Sequence, residues 1–144
     1  MAMAAAAARS TPWHLWVVAV LTLLWNGAGA ATIVMAQTGS ALDMDPSEVA
    51  YYAAQPRWFV LTTDLATLLP IAAAIALLLR HRAAAWLFAL SLALIVANNL
   101  YDVAAGTSLT LEDDGWRNLT VAIVAIAIAQ SGYAWLMRKR GVLI

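Results

Sequence analysis

Four apolar stretches, each close to the length of a membrane-crossing helix, divide this chain, and most of its charges lie between them. They fall at about Trp13–Ala36, Trp58–Leu79, Ala83–Ala105 and Leu119–Met137. A helix needs about 20 such residues to cross the hydrocarbon core of a bilayer. Lipid leaves backbone polar groups no outside partner, so a spanning segment must satisfy them within its own helix. Only 11% of the 144 residues are charged, against about 25% in a soluble domain. Mean hydropathy is +0.79. Too little polar surface remains to cover a water-soluble globule. The sequence therefore predicts an all-α integral membrane protein: one domain over 1–144, a four-helix bundle of up-down topology.

Orientation follows from the cations. With four crossings, Arg9, Arg80, Arg82, Arg138, Lys139 and Arg140 share one side, and Arg57 and Arg117 the other. Lysine and arginine loops stay cytoplasmic, which places both termini in the cytoplasm and the chain in the inner membrane. The acids Asp43, Asp45, Glu48, Glu112, Asp113 and Asp114 fall in the outer loops. Trp13, Trp16, Trp86 and Trp135 are expected at the inner interface, and Trp58 and Trp116 at the outer one, because indole favours that layer. The first stretch, with Arg9 ahead of it and the small residues Ala28–Ala30 within it, has the outline of a secretory signal. Its apolar pattern nevertheless runs on through "ATIVMA" to spanning length, which favours a retained span. The leading "MAMAAAAARS" reads as a frayed cytoplasmic lead.

The connections carry their own signals. "RHR", Arg80–Arg82, is short enough to make spans two and three a tight antiparallel hairpin. In "DPSE", Asp45 can cap a helix, Pro46 suits its first position, and Glu48 sits where a capping-box partner belongs. A short interfacial helix is expected at about 46–54, lying along the outer surface with its tyrosines at the headgroups. An irregular loop is the alternative, since isolated helices this short are marginal in water. Gly106 and Gly141 suit left-handed caps.

Polar residues break the apolar pattern at matched depths. In "VANNLYD", Val96–Asp102, span three ends on two asparagines, a tyrosine and an aspartate. Ser91, Asn98 and Asp102 share one helical face, and Asn99 is turned away. Span two carries Asp64 roughly 10 Å inside its outer boundary at 1.5 Å per residue, among Thr62, Thr63 and Thr67. Pro70 frees the carbonyl of Ala66, and a kink is expected there. Span one offers Asn26, Gly29, Thr32 and Gln37, and span four offers Gln130, Ser131 and Tyr133 in its inner half. Convergence of these faces would build a polar pocket open to the outside and closed from the cytoplasm. The candidate solute- or ion-binding residues are Asp64, Asn98, Asn26, Gln37, Asp102 and Thr67. A carboxylate facing acyl chains costs up to about 2.5–3.5 kcal/mol, so Asp64 is the strongest of them. Alternatively, Asp102 is a solvated helix end, the asparagines are interhelical glue, and the small residues of span one are close-packing positions.

Several activities find no support. Zero net charge gives no footprint for nucleic acid, and the absence of cysteine removes thiolate metal sites and thiol nucleophiles. Glu112, Asp113 and Asp114 lack calcium-loop spacing. His14 and His81 are poorly placed for haem. Asn118-Leu-Thr120 fits a glycosylation pattern, but such matches are common by chance. No nucleophile lies near a histidine, and no phosphate-binding loop appears, so no catalytic, cofactor or metal residue is assigned.

The runs "LWNGAGAATIVMAQTGS", "MDPSEVAYYAAQPRWFV" and "LLLRHRAAAWLFALSLALIV" resemble a family of small four-span bacterial membrane proteins that often carry the label "sugar transporter". The likeness covers about residues 23 to 101 and is carried by Trp25-Asn26, Gly29, Gln37, the run Pro46, Glu48, Ala50 and Tyr51, and Pro56 with Trp58. Members tend to have an aspartate and a tyrosine where this chain has Thr32 and Ile33, and they lack an acid at Asp64. The resemblance thus implies an acid moved from span one to span two. A transporter protomer for a small polar solute is the expected function. Four helices barely enclose a pathway, so a homo-oligomer is expected with it. The alternative is an accessory or structural subunit of a larger membrane complex.

Overall fold

The computed structural model describes residues 11–40, 45–107 and 113–144. The alanine-rich lead with Arg9, and the loop acids Asp43 and Glu112, lie outside the described residues. The described chain is helical throughout: α1 (Trp13–Thr38), α2 (Pro46–Ala54), α3 (Arg57–Leu78), α4 (Ala83–Ala105) and α5 (Asp114–Lys139). Four of these, α1, α3, α4 and α5, are long and apolar enough to cross a membrane. The chain is a multi-pass membrane protein built as a helical bundle.

α3 and α4 form the central hairpin, with α1 packed on α3 and α5 on α4. Trp58 meets Tyr101, and Thr62 meets Asn98, as an antiparallel pair requires. α1 and α5 touch near one end, where His14 Nδ1 and the Tyr133 hydroxyl are 2.6 Å apart. The bundle therefore has a basic end, with Arg80, Arg82 and Lys139, and an acidic end, with Asp45 and Asp113.

The basic half is packed with apolar side chains. Leu15, Ala19, Ala73, Leu77, Phe88 and Met137 are buried there, contributed by all four long helices. Alanines at the contacts let helix backbones approach closely, which matters in lipid, where burial alone gives little driving force. The tail beyond α5 completes this packing. Val142 and Leu143 are buried. Ile144 N donates to Arg80 O at 2.7 Å, and Arg82 N donates to Ile144 O at 3.0 Å.

Helix ends follow their caps. α5 starts at Asp114, five residues before the apolar pattern begins, because the Asp113 side chain accepts from the amides of Gly115 and Trp116. That satisfies two donors which would otherwise be orphaned. Gly106 and Gly141 take left-handed conformations after α4 and α5.

After α3 the same left-handed position is filled by Arg80, with φ 57°. His81 N then reaches Ala76 O at 2.7 Å and Arg80 N reaches Leu77 O at 3.0 Å. Left-handed geometry costs a residue with a Cβ about 1–2 kcal/mol. The Arg80 side chain offsets part of this by donating from Nε to Val142 O at 3.2 Å. Arg80→Ala loses that tether and keeps the strain, whereas Arg80→Gly loses the tether and relieves it. In denaturation from detergent micelles, the glycine variant is expected to be more stable than the alanine variant by about 1 kcal/mol.

Candidate functional site

Several polar side chains of the acidic half pair across helix interfaces. Deepest on the α3–α4 seam, the Ser91 hydroxyl donates to Ala66 O at 2.7 Å. Ala66 is the carbonyl that Pro70 leaves without its helical donor, and α3 continues through that proline. A freed acceptor in an apolar layer costs free energy unless a donor reaches it. Ser91, on the neighbouring helix, supplies one.

Above it, Asn98 is buried between α4 and α3. Its Nδ2 donates to Thr63 Oγ1 at 3.1 Å, and its Oδ1 lies 3.0 Å from the Thr62 hydroxyl. On the α1–α3 seam, Gln37 Nε2 donates to Asp64 Oδ1 at 2.7 Å. Asp64 itself is half-buried. Among the described residues no cationic side chain forms an ion pair with it; Arg117 at the start of α5 pairs with Asp114 instead.

At the rim, Asp102 is 9% exposed and is not a solvated helix end. The Tyr51 hydroxyl donates to its Oδ2 at 2.5 Å, and the Thr107 hydroxyl donates to its Oδ1 at 2.8 Å. Tyr51 belongs to α2, which forms as the cap signals predict. Asp45 N donates to Glu48 Oε2 at 3.3 Å, and Pro46 occupies the first turn. Its orientation differs from the expected one. Tyr51 points to the bundle instead of the headgroups, because a desolvated carboxylate needs donors that lipid does not supply. A second tether joins Trp116 Nε1 to Glu48 Oε1 at 3.1 Å. α2 thus links α4 and α5 across the acidic end. Burial, then the hydrogen bond to Asp102 and its negative charge, push the Tyr51 phenol well above the usual tyrosine range.

The six candidate residues therefore separate. Asp64 with Gln37, Asn98 with its threonines, and Asp102 with Tyr51 make contacts between helices. Asn26 and Thr67 do not: Asn26 Nδ2 donates to Thr22 O and Thr67 Oγ1 to Thr63 O, each one turn back on its own helix. Asn99 bonds Ile95 O in the same way. Tyr51 joins the site only through tertiary contact, whereas Thr107 reaches Asp102 from five residues further along, just past the end of α4. In α5, Gln130 and Ser131 are buried, and Ser131 Oγ has no hydrogen-bond partner among the described residues. Comparison of the chain with family models, curated proteins and solved structures returned no match.

Proposed function

We propose that this chain is a transporter protomer of the inner membrane that accepts a small polar solute or cation from the outer side, with Asp64 as the principal binding group. The basic end and both termini face the cytoplasm, since arginine and lysine loops are retained there. The observation that carries the reading is Asp64. It is an acid within a spanning helix, half-buried, with an amide as its hydrogen-bond donor and no counter-cation among the described residues. Acids inside spans are costly, and they mark substrate or ion pathways more often than they serve packing. The apolar packing of the basic half closes the same bundle from the cytoplasm. The likeness to small four-span proteins labelled as sugar transporters suggests neutral monosaccharides as the first solutes to try.

In proteoliposomes loaded with a pH-sensitive dye, monosaccharide addition is expected to drive proton entry with the wild-type chain. Asp64→Asn should abolish it. Transport by the variant at the wild-type rate removes Asp64 from the mechanism.

A second reading has its own observation. Asn98, Ser91 and Asp102 are each engaged by protein partners, as interhelical glue would be. The chain would then be an accessory subunit without a substrate. Copurification of a larger stoichiometric partner from mild detergent supports that reading, and a lone oligomer opposes it.

A further inference from the structure

The basic end holds Arg80, Arg82, Arg138, Lys139 and Arg140, while the described acids, Asp45, Glu48, Asp64, Asp102, Asp113 and Asp114, all lie toward the acidic end. Among the described residues no Asp or Glu lies at the end that holds Arg138. Arg138 occupies a distinctive position within it. Its Cζ lies 5.3 Å from the centroid of the Trp86 ring and 4.8 Å from that of Trp135. The two indoles meet edge to face, 5.1 Å apart. Both rings attract the guanidinium's positive charge, and neither replaces the oxygen acceptors its N–H groups need. Its Nη1 is buried and has no hydrogen-bond partner among the described residues. A guanidinium beside two indoles, with Nη1 short of an acceptor and with the described Asp and Glu side chains at the opposite end, is suited to an anionic ligand.

The surroundings indicate which anion. Trp86 stands near the start of α4 and Trp135 near the end of α5, the depth at which indole favours the headgroup layer. Toward the bilayer interior, Leu90 follows Trp86 by four residues and Ile128 precedes Trp135 by seven, so each continues its tryptophan's helix face. Both are half or more exposed. Toward the basic end, Arg82 precedes Trp86 by four residues and is exposed on that same side. Cation, aromatic layer and apolar flank thus succeed one another in the order of phosphate, glycerol and acyl chain.

We propose that Arg138, set against Trp86 and Trp135 on the α4–α5 flank, binds the phosphate of an anionic phospholipid whose chains lie along Leu90 and Ile128. Planar, multi-donor recognition of phosphate is a property of arginine that lysine does not share. Arg82 adds long-range attraction, as juxtamembrane cations do toward anionic lipid. This inference does not depend on the transport reading, because the site lies at the opposite end from Asp64.

Native mass spectrometry of the full chain in mild detergent, with phosphatidylglycerol or phosphatidylcholine of equal chain length added, tests it. One phosphatidylglycerol should be retained in preference to phosphatidylcholine. Arg138→Gln should weaken that retention about tenfold, as loss of a charge-assisted phosphate contact predicts, and Arg138→Lys should recover only part of it. Arg117→Gln, at the acidic end, should change nothing. Equal retention of the two lipids overturns the proposal, as does wild-type retention by Arg138→Gln or an equal loss in Arg117→Gln. Displacement of the lipid by excess inorganic phosphate would show a free-anion site and also overturns it. Should Arg138→Gln not fold, the wild type decides alone: phosphatidylglycerol should raise its melting temperature, and an equal rise with phosphatidylcholine refutes the site.

Discussion

Replacing Asp102 with alanine is expected to release α2 from the bundle while leaving the four long helices in place. The carboxylate receives the Tyr51 and Thr107 hydroxyls, and among the described residues Tyr51 is one of two side-chain hydrogen-bond tethers from α2 to the long helices; Glu48 with Trp116 is the other. A hydrogen bond to a charged acceptor is worth about 1.5–3 kcal/mol. Amide exchange over residues 49–54 should therefore rise about 10- to 100-fold at 1.4 kcal/mol per factor of ten, with exchange in α3 and α4 unchanged. Asp102→Asn retains an acceptor and should give a smaller rise. Unchanged exchange in the alanine variant would show that Glu48 and Trp116 hold α2 unaided.

The same contact has a signature in alkaline solution. Folding raises the Tyr51 pKa through burial, the hydrogen bond to Asp102 and its charge. The folded state thus holds the phenol proton more tightly than the unfolded chain does. That stabilisation is complete below the unfolded value of about 10 and fades as the pH climbs past it toward the folded value. In a tyrosinate absorbance titration, Tyr51 should ionise later than free tyrosine. Asp102→Ala should bring its transition back toward the usual range.

Phe88→Ala is expected to cause the largest loss of stability among changes in the apolar half. Phe88 is 2% exposed and packs among Ala73, Leu77, Ala84 and Met137. In a water-soluble core this exchange costs about 3–5 kcal/mol, part of it transfer from water and part the cavity left behind. Lipid tails are as apolar as leucine, so the transfer part falls away in a membrane. The cavity part remains, and about 2 kcal/mol is expected on that basis. Leu100→Ala is the matched control. Leu100 is 67% exposed on a helix long and apolar enough to cross a membrane, and its truncation should change unfolding from mixed micelles by less than about 0.5 kcal/mol. Equal losses from the two variants would mean that the buried packing contributes nothing specific.

The spacing of charge and apolar residues was sufficient, by itself, to define four spanning helices, their up-down order and the short capped helix before Pro56. Those features are local. Backbone hydrogen bonding in lipid demands helices, apolar run length sets how far each extends, and Asp45, Pro46 and Glu48 start α2 from within a few residues. The alternation of cations and acids along the chain also separated a basic end from an acidic one before any packing was known. Local pattern failed first at the start of α5, where the Asp113 cap carries the helix beyond its apolar run.

Tertiary structure decided which polar groups meet. A polar residue in a span has two ways to satisfy its hydrogen bonds: a carbonyl one turn back on its own helix, or a partner across an interface. Helical spacing places Asn26 and Asn98 equally well for either. Asn26 turned to its own backbone and Asn98 to Thr62 and Thr63, because only α4 presents its amide to a neighbouring threonine pair. Ser91 and the freed carbonyl of Ala66 were each readable, yet their meeting depends on the register of α3 against α4. The turning of Tyr51 to Asp102, and of Arg138 to two indoles, likewise depends on how helices distant in sequence are rotated about their own axes. That rotation is set by the summed packing of the bundle, and no short segment of the chain contains it.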